Sequence, residues 1–183
     1  MINLVQRQRL AFIVEGTKFT KLRREGGSRH VYVKLNPNHK TLYYGDWSES
    51  DASPSLDSLP NKIVVADIKD FRIGADSASQ TSGGRDARRN RGVDTSLHLA
   101  MTIATDNSSI DLLASEQKTF DYWCDAINAL LRRDMSSNKA KEDVELFLSM
   151  EIKIRLLDVE AIPLPREKPV IPPPPPPIGI KSH

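Results

Sequence analysis

The stretch TSLHLAMTIATDNSSIDLLASEQKTFDYWCDAINALLRR, residues 95–133, decides the fold. Apolar and polar residues alternate over 95–104, and a second run over 109–113 follows an Asp-Asn turn, which predicts an antiparallel hairpin. After Ser115, a predicted N-cap, apolar residues recur at helical spacing as Phe120, Trp123, Cys124, Ile127, Leu130 and Leu131. A hairpin followed by a helix with one wholly apolar face predicts a β-rich core that this helix closes.

Further strands are predicted upstream, where β-branched and aromatic residues form short runs between Gly, Asn, Pro and Asp turns. The predicted strands are 17–22, 30–35, 40–44, 62–68 and 71–73. Five to seven strands closed by a terminal helix indicate an antiparallel barrel or sandwich, mainly β with some α. Residues 74–94, rich in Ser, Gly, Arg and Asp, are predicted to form a mobile loop within it.

A helix is predicted before the first strand. Residues 1–13 place Ile2, Val5 and Phe12 on one amphipathic face, and Gly16 is predicted to end the helix. A helix this short is marginal alone, so its apolar face needs a partner. The pattern leaves open whether that partner lies in the domain or outside it.

A further helix is predicted over residues 137–160, after the closing helix. Acidic residues occupy its first turn, and a broad apolar face includes Phe147 and Ile154. The alternation from Met150 to Leu156 suits a strand equally well, and spacing alone leaves both open.

The composition argues against several classes of protein. A formal net charge of only +2 argues against a nucleic-acid protein that neutralises many phosphates. The single cysteine, Cys124, cannot form an internal disulfide, and no signal peptide or apolar run of about 18 residues occurs, so a cytoplasmic protein is expected. Nine of the 12 prolines fall between Pro163 and Pro177, so residues 161–183 are predicted to be a tail that packs no core.

The order of elements resembles a pleckstrin homology domain, whose closing helix carries a core tryptophan, here Trp123. Five strings are more specific: VEGTKFTKL from Val14, LNPNHKTLYYGD from Leu35, VADIK from Val65, DAINALLRRDM from Asp125 and LSMEIKIRLLDVE from Leu148. Together they resemble the C-terminal third of the engulfment and cell motility (ELMO) proteins. The resemblance implies a pleckstrin-homology-like domain over 14–133, in a fragment without the family's N-terminal helical repeats.

ELMO proteins are not enzymes; they bind DOCK-type guanine-nucleotide exchange factors and assist activation of the small GTPase Rac in phagocytosis and cell migration. The resemblance therefore implies a non-catalytic scaffold of actin remodelling, recruited to the plasma membrane with its partner. It also implies three contacts with DOCK. The helices over 1–13 and 137–160 are expected to bundle with a DOCK helix, and the prolines are expected to engage the DOCK SH3 domain.

The residues predicted to contact the DOCK helix are Ile2, Val5, Phe12, Phe147 and Ile154. The alternative is that both helices pack on their own domain, as amphipathic helices commonly do. The domain already has its closing helix, so neither flanking helix is needed to complete the barrel. This favours an exposed apolar seam.

The proline tail matches the ligand pattern of SH3 domains. Arg166 stands three residues before Pro169, which forms a P-x-x-P pair with Pro172, and Pro175 offers an overlapping register. Polyproline II is extended before binding, so little conformational entropy is lost when two prolines fill aromatic grooves and the cation meets an acidic loop. A flexible spacer is the alternative, because proline runs are common in linkers.

The first hairpin carries cations that indicate a different function, phosphoinositide-dependent membrane adaptation. The candidate lipid contacts are Lys18, Lys21, Arg23, Arg24 and Arg29. Such clusters neutralise several phosphate charges at once. The usual signature has another basic residue two positions after the one that opens the second strand, and after Arg29 that position is Val31. Because this basic residue is missing, we predict weak or absent phosphoinositide binding and a solvated basic face.

Catalysis has little support in the sequence. The four histidines are scattered, Cys124 lies beside the core marker Trp123 on an apolar helix face, and no Gly-rich phosphate loop or metal-ligand spacing occurs. We therefore expect no enzyme activity, no cofactor, no metal and no nucleic-acid partner.

Overall fold

The computed structural model describes residues 2–22, 28–47, 53–74 and 94–157. The chain divides into two compact units, residues 1–148 and residues 149–183. Nearly all of the predicted loop over 74–94, and the whole predicted tail over 161–183, lie outside the described residues.

Seven strands and three α-helices are found in the described part of the chain. The strands are β1 Thr17–Leu22, β2 Ser28–Leu35, β3 Thr41–Asp46, β4 Asn61–Val64, β5 Ile68–Ile73, β6 Ala100–Thr105 and β7 Ser109–Leu113. The helices are α1 Ile2–Glu15, α2 Gln117–Leu130 and α3 Asn138–Leu156. The last residues of α3 belong to the second unit.

The strands pair antiparallel in one open sheet with the order β4-β3-β2-β1-β7-β6-β5. β1 joins the two halves of the sheet, because it pairs with β2 on one side and with β7 on the other. The pleat places Phe19 opposite Val31, and both are buried. The predicted fold class, antiparallel strands capped by a helix in a pleckstrin-homology-like arrangement, is confirmed.

The closing helix α2 buries its apolar face in the core, as predicted. Trp123 is fully buried, and its ring meets Phe19 edge to face with centroids 5.2 Å apart. Its indole Nε1 donates a hydrogen bond to Thr17 Oγ1 at 3.0 Å, so the polar end of the tryptophan is satisfied. The N-cap is Glu116 rather than the predicted Ser115, and its carbonyl accepts the amide of Phe120 at 3.1 Å.

Gly16 ends α1, as predicted, although the helix runs two residues past 13, to Glu15. Gly16 has a φ of +87°, and a Cβ there would lie 2.5 Å from a ring carbon of Tyr32. A glycine is therefore required for both the left-handed backbone and the close approach to β2.

Two predicted strands, 95–104 and 62–68, differ most from the observed bounds, and the strand predicted over 71–73 begins earlier, at Ile68. Residues Asp94–Leu99 form a 3-10 helix instead of the first part of a strand over 95–104, and β6 begins at Ala100. Ala100 pairs with Leu113, the last residue of β7, so the earlier residues have no strand partner on that side.

The predicted strand over 62–68 is interrupted by a 3-10 turn, Val65–Asp67. Here the chain leaves its pairing with β3 and begins pairing with β6, and these two strands lie in different halves of the sheet. A β-branched run predicts extended backbone but not the place where the chain must turn a corner. In the region over 137–160, for which a strand was the alternative, residues Asn138–Leu156 are helical.

Candidate protein-interaction surface

One face of α1 is covered within the chain. Val5, Arg9 and Ile13 are fully buried, and α1 packs against α2. Phe12 is half-buried and meets Tyr122 edge to face, with ring centroids 5.0 Å apart. The prediction that Val5 lies on an exposed seam is therefore wrong, because the domain needs α1 to cover α2. The side chain of Ile2 lies outside what the structure describes.

The burial of Arg9 depends on two carboxylates from the other helices. Its Nε lies 3.5 Å from Asp125 Oδ2 on α2, and its Nη2 donates a short hydrogen bond to Asp143 Oδ2 on α3. The guanidinium carbon lies 3.7 Å from the ring centroid of Tyr122, which adds a cation–π contact. One buried side chain thus links all three helices.

The same carboxylates position the start of α3. Asp125 accepts hydrogen bonds from the amide of Ser137 at 3.2 Å and from its hydroxyl at 2.6 Å. The hydroxyl oxygen of Ser137 in turn accepts the amide of Ala140 at 2.9 Å, as an N-terminal cap does. Lys139 Nζ lies 2.9 Å from Asp143 Oδ1. The first turn of α3 is therefore held to α1 and α2 by directional polar contacts.

The charges shift the pKa of two groups in this cluster. Burial raises the pKa of Asp143, but hydrogen bonds from Arg9 and Lys139 outweigh burial, so the net pKa lies below its ordinary value. The hydrogen bond to Asp143 raises the pKa of Lys139. The charged form of Asp143 is therefore favoured by the fold.

Sequence reasoning did not identify this cluster. A signal was present, because Arg9 falls at helical spacing between Val5 and Ile13, inside an apolar stripe. A charge that helical spacing places on a buried face requires a buried counter-charge. The identity of the partners, Asp125 and Asp143, depends on contacts more than 100 residues apart in the chain.

A groove of about 400 Å³ lies beside this cluster, between α1 and the first half of α3. Gln6 contributes from α1, and Met135 contributes from the connection between α2 and α3. Val144 lines the α3 side together with the charged residues Lys141 and Glu145, and Asp134 adds a carboxylate from the connection. The groove thus combines an apolar strip with charges of both signs.

Beyond this groove, α3 leaves large apolar side chains exposed. In the first unit, Leu146 is 56% exposed and Leu148 is 48% exposed, while Phe147 is half-buried. In the second unit the exposed apolar residues of α3 are Met150, Ile152, Ile154 and Leu156, with Ile154 at 61%. A helix with apolar residues on every side is typically covered by other protein. Among the predicted partner contacts whose side chains are described, Ile154 is the most exposed.

The cations of the first hairpin have partners within the chain. Arg29 pairs with Asp46 at 2.7 Å, and Lys18 Nζ lies 3.7 Å from the ring centroid of Trp47. Lys21 Nζ lies 5.0 Å from the ring centroid of Tyr44. Arg23 and Arg24 lie outside the described residues, as do Arg166, Pro169, Pro172 and Pro175 of the proline tail. Lipid binding and SH3 binding at these positions therefore stay predictions.

The described residues offer little for catalysis. Burial raises the pKa of the Cys124 thiol, and the carboxylates of Asp125 and Asp121 add to the shift, so a reactive thiolate is disfavoured. Within the described ranges, no three His, Cys, Asp or Glu side chains are grouped so that they could hold a metal ion. Across the same ranges, every helix is too short or too polar to cross a membrane.

The chain belongs to the pleckstrin homology domain family: the family model described as pleckstrin homology domain matches residues 5–132. Among solved structures, the PH domain from TgAPH has a TM-score of 0.45 at 12% identity, covering 71% of this chain and 93% of that one.

Curated relatives confirm the resemblance to engulfment and cell motility proteins. Engulfment and cell motility protein 1 of Homo sapiens is 41% identical over 175 residues, which cover 94% of this chain and 24% of that protein. Protein 2 of Homo sapiens is 37% identical with the same coverage, and protein 3 of Homo sapiens is 34% identical over 174 residues, covering 92% of this chain and 24% of that protein. The chain thus spans about a quarter of the length of these relatives.

Proposed function

We propose that this chain is a non-catalytic interaction module of an engulfment and cell motility scaffold. It binds a DOCK-type exchange factor through α3 and the proline tail, and so promotes Rac activation in engulfment and cell migration. In the cell it is cytoplasmic and reaches the plasma membrane with its partner. The observation that carries the proposal is the set of large apolar side chains that α3 exposes to water.

The energetics support a partner for α3. Burying a large aliphatic side chain contributes about 1.5–3 kcal/mol relative to leaving it exposed, so several exposed residues on one helix represent a large potential gain. Leu146 and Leu148 of the first unit are each about half exposed, although the first turn of the same helix is held by Ser137 and Asp125. A helix that is fixed at its start loses little freedom when a partner helix covers the rest.

The role of α1 in this proposal is indirect. Its buried residues hold α2 and α3 through Arg9, so α1 sets the surface that the partner meets. The large apolar residue that α1 itself exposes is Leu4, at 48%. Phe12, Phe147 and Ile154 stay proposed contacts, together with Leu146 and Leu148, which the sequence analysis had not selected.

The proline tail supplies a second, independent contact. Arg166, Pro169, Pro172 and Pro175 fit an SH3 ligand by their spacing alone. Two linked contacts raise the overall affinity above that of either, because the second forms at a high effective concentration.

The test is calorimetric titration of this chain with a DOCK N-terminal fragment that contains the SH3 domain and its adjacent helix. We expect Leu148→Asp and Ile154→Asp each to weaken binding by at least about tenfold, because an uncompensated charge would enter an apolar contact. Ser149→Asp is the matched control: it adds the same charge at an exposed polar position of the same helix. Circular dichroism checks that each variant is folded.

Removing residues 161–183 separates the two contacts. The truncated chain is expected to bind the DOCK fragment more weakly than the full chain does. Leu148→Asp is expected to weaken the binding of the truncated chain further. If Leu148→Asp, Ile154→Asp and Ser149→Asp all bind like the unchanged chain, the proposal for α3 is wrong. If the truncation has no effect, the proline tail is a spacer.

A further inference from the structure

A second groove lies at the corner of the sheet, and its lining residues differ from those of the helix surface proposed above. Its volume is about 510 Å³, and it lies between the turn that joins β4 to β5 and the C-terminal end of α2. We refer to it as the corner groove. None of the described residues that line it lines the groove beside α1.

The walls of the corner groove are apolar. Val64 and Val65 line it from the end of β4 and the turn, and Leu130 and Leu131 line it from the end of α2. Val64 is 40% exposed, and the other three are half-buried while packing against the core. The volume is sufficient for two or three aliphatic side chains of a ligand.

Basic residues surround these apolar walls. His39 and Lys40 come from the turn between β2 and β3, and Arg132 follows α2; all three are exposed. Lys40 and Arg132 form no ion pair with any other described residue. The described lining residues include no carboxylate. The electrostatic preference of the groove is therefore for anionic groups.

Two of these basic residues occupy backbone conformations that favour glycine. His39 has a φ of 60° and Arg132 a φ of 57°, and they are the non-glycine residues with positive φ in the described chain. Arg132 ends α2, where its amide donates to the carbonyl of Ala129 at 3.1 Å and the amide of Arg133 donates to Asn128 at 2.8 Å. Glycine is the usual residue at such a helix end. Both positions thus carry a long polar side chain, an imidazole and a guanidinium, at some cost in backbone free energy, and both line one groove.

We propose that the corner groove binds an extended acidic peptide segment of a partner protein, with aliphatic side chains against Val64 and Leu131 and carboxylates near Lys40 and Arg132. Charge favours such a partner over the two longest segments of the chain that lie outside the described residues. Residues 158–183 carry three acidic and three basic side chains, and residues 75–93 carry four arginines and two aspartates. Neither supplies the excess of negative charge that the groove selects.

This site adds to the proposed DOCK-binding function and does not depend on it. No DOCK fragment enters the experiment, so the two proposals succeed or fail separately. The probe is a fluorescein-labelled peptide that alternates glutamate and leucine, and the control peptide has glutamine in place of each glutamate. Affinity is measured by fluorescence anisotropy, and the site is located by methyl NMR of the full chain.

We expect the acidic peptide to bind at least about tenfold more tightly than the glutamine peptide and to perturb the methyl groups of Val64 and Leu131, but not those of Leu146 and Leu148. The double variant His39→Gly with Arg132→Gly removes the Arg132 cation and the His39 imidazole from the rim while relaxing the backbone. It is expected to unfold at the same or a higher temperature and to lose most of this affinity. A variant that merely failed to fold would instead unfold at a lower temperature.

Three results would overturn the proposal. The first is equal affinity for the two peptides, or no binding of either. The second is that neither peptide binds, while the chain binds vesicles of phosphatidylserine and phosphatidylcholine and the double variant does not. This result would assign the groove to a membrane. The third is self-association in sedimentation that the double variant abolishes, which would assign it to a second copy of this chain.

Discussion

α1 and α3 have similar apolar patterns in the sequence, but the fold places them in opposite environments. α1 buries Val5, Arg9 and Ile13 completely, whereas α3 leaves Leu148 48% and Ile154 61% exposed. Apolar spacing on a helix predicts that a face will be covered, but it does not predict by what. Here the domain covers the apolar face of one helix and leaves large apolar residues of the other exposed.

The difference has a physical cause in the polar residues of each helix. The stripe of α1 contains Arg9, whose charge is tolerable in the core only because Asp125 and Asp143 meet it there. In α3 the residues of the first turns, such as Ala140 and Asp143, are buried by this cluster, whereas Leu146 lies beyond it and is 56% exposed. Contacts with α1 and α2 therefore cover the first turns of α3 and leave Leu146 exposed.

The largest expected effect comes from removing the charge that fixes α1. Arg9→Ala leaves two carboxylates buried without their cation, which costs about 3–5 kcal/mol of unfolding free energy. Arg7→Ala, on the exposed side of α1, is the control and is expected to change stability by less than about 0.5 kcal/mol. Urea denaturation measures both. Equal, small losses for the two variants would show that the cluster does not hold the helix.

A smaller effect is expected from neighbouring apolar residues with opposite burial. Val5→Ala removes fully buried methyl groups and is expected to cost about 2 kcal/mol, because a cavity remains. Leu4→Ala and Leu148→Ala, each at 48% exposure, are expected to cost less than about 0.5 kcal/mol. If Leu148→Ala is as costly as Val5→Ala, the exposed surface of α3 is covered in solution, and the contrast between the two helices disappears.

The smallest effect is a dependence on pH. The folded state lowers the pKa of Asp143 below its ordinary value of 3.8, so this group contributes stability that is present above that value and is lost as pH falls through the folded-state pKa. The charged groups around it are Arg9, Lys139 and, through Arg9, Asp125. We expect the loss of unfolding free energy between about pH 6 and about pH 3 to be smaller in Asp143→Asn than in the unchanged chain. If the unfolding free energy of Asp143→Asn depends on pH in the same way as that of the unchanged chain, groups other than Asp143 cause the loss of stability.

Much of the fold could be predicted from local sequence. Turn residues and alternation located β1, β3 and β7 closely, and the stripe around Trp123 identified the closing helix, because each of these signals arises within a few residues. Predictions failed where pairing partners decide the structure. The strand expected over 95–104 begins only at Ala100, since β7 ends opposite it, and the strand expected over 62–68 breaks where the chain changes partners.

The candidate surfaces were less predictable for the same reason. Helical spacing gave the residues of α3 but not their exposure, and it placed Val5 on a seam that is in fact buried. The corner groove was not predicted at all. His39 and Arg132 are 93 positions apart, and they line one site because the turn after β2 and the end of α2 meet at one corner of the sheet.

The sequence alone determined most of the strands, the first and the closing helix, and the apolar faces, because those properties follow from the side chains of near neighbours and the backbone periodicity of each element. Only the tertiary structure decided which apolar faces are satisfied within the chain. That outcome depends on buried counter-charges and sheet corners formed by residues far apart in sequence, as in the meeting of Arg9 with Asp125 and Asp143.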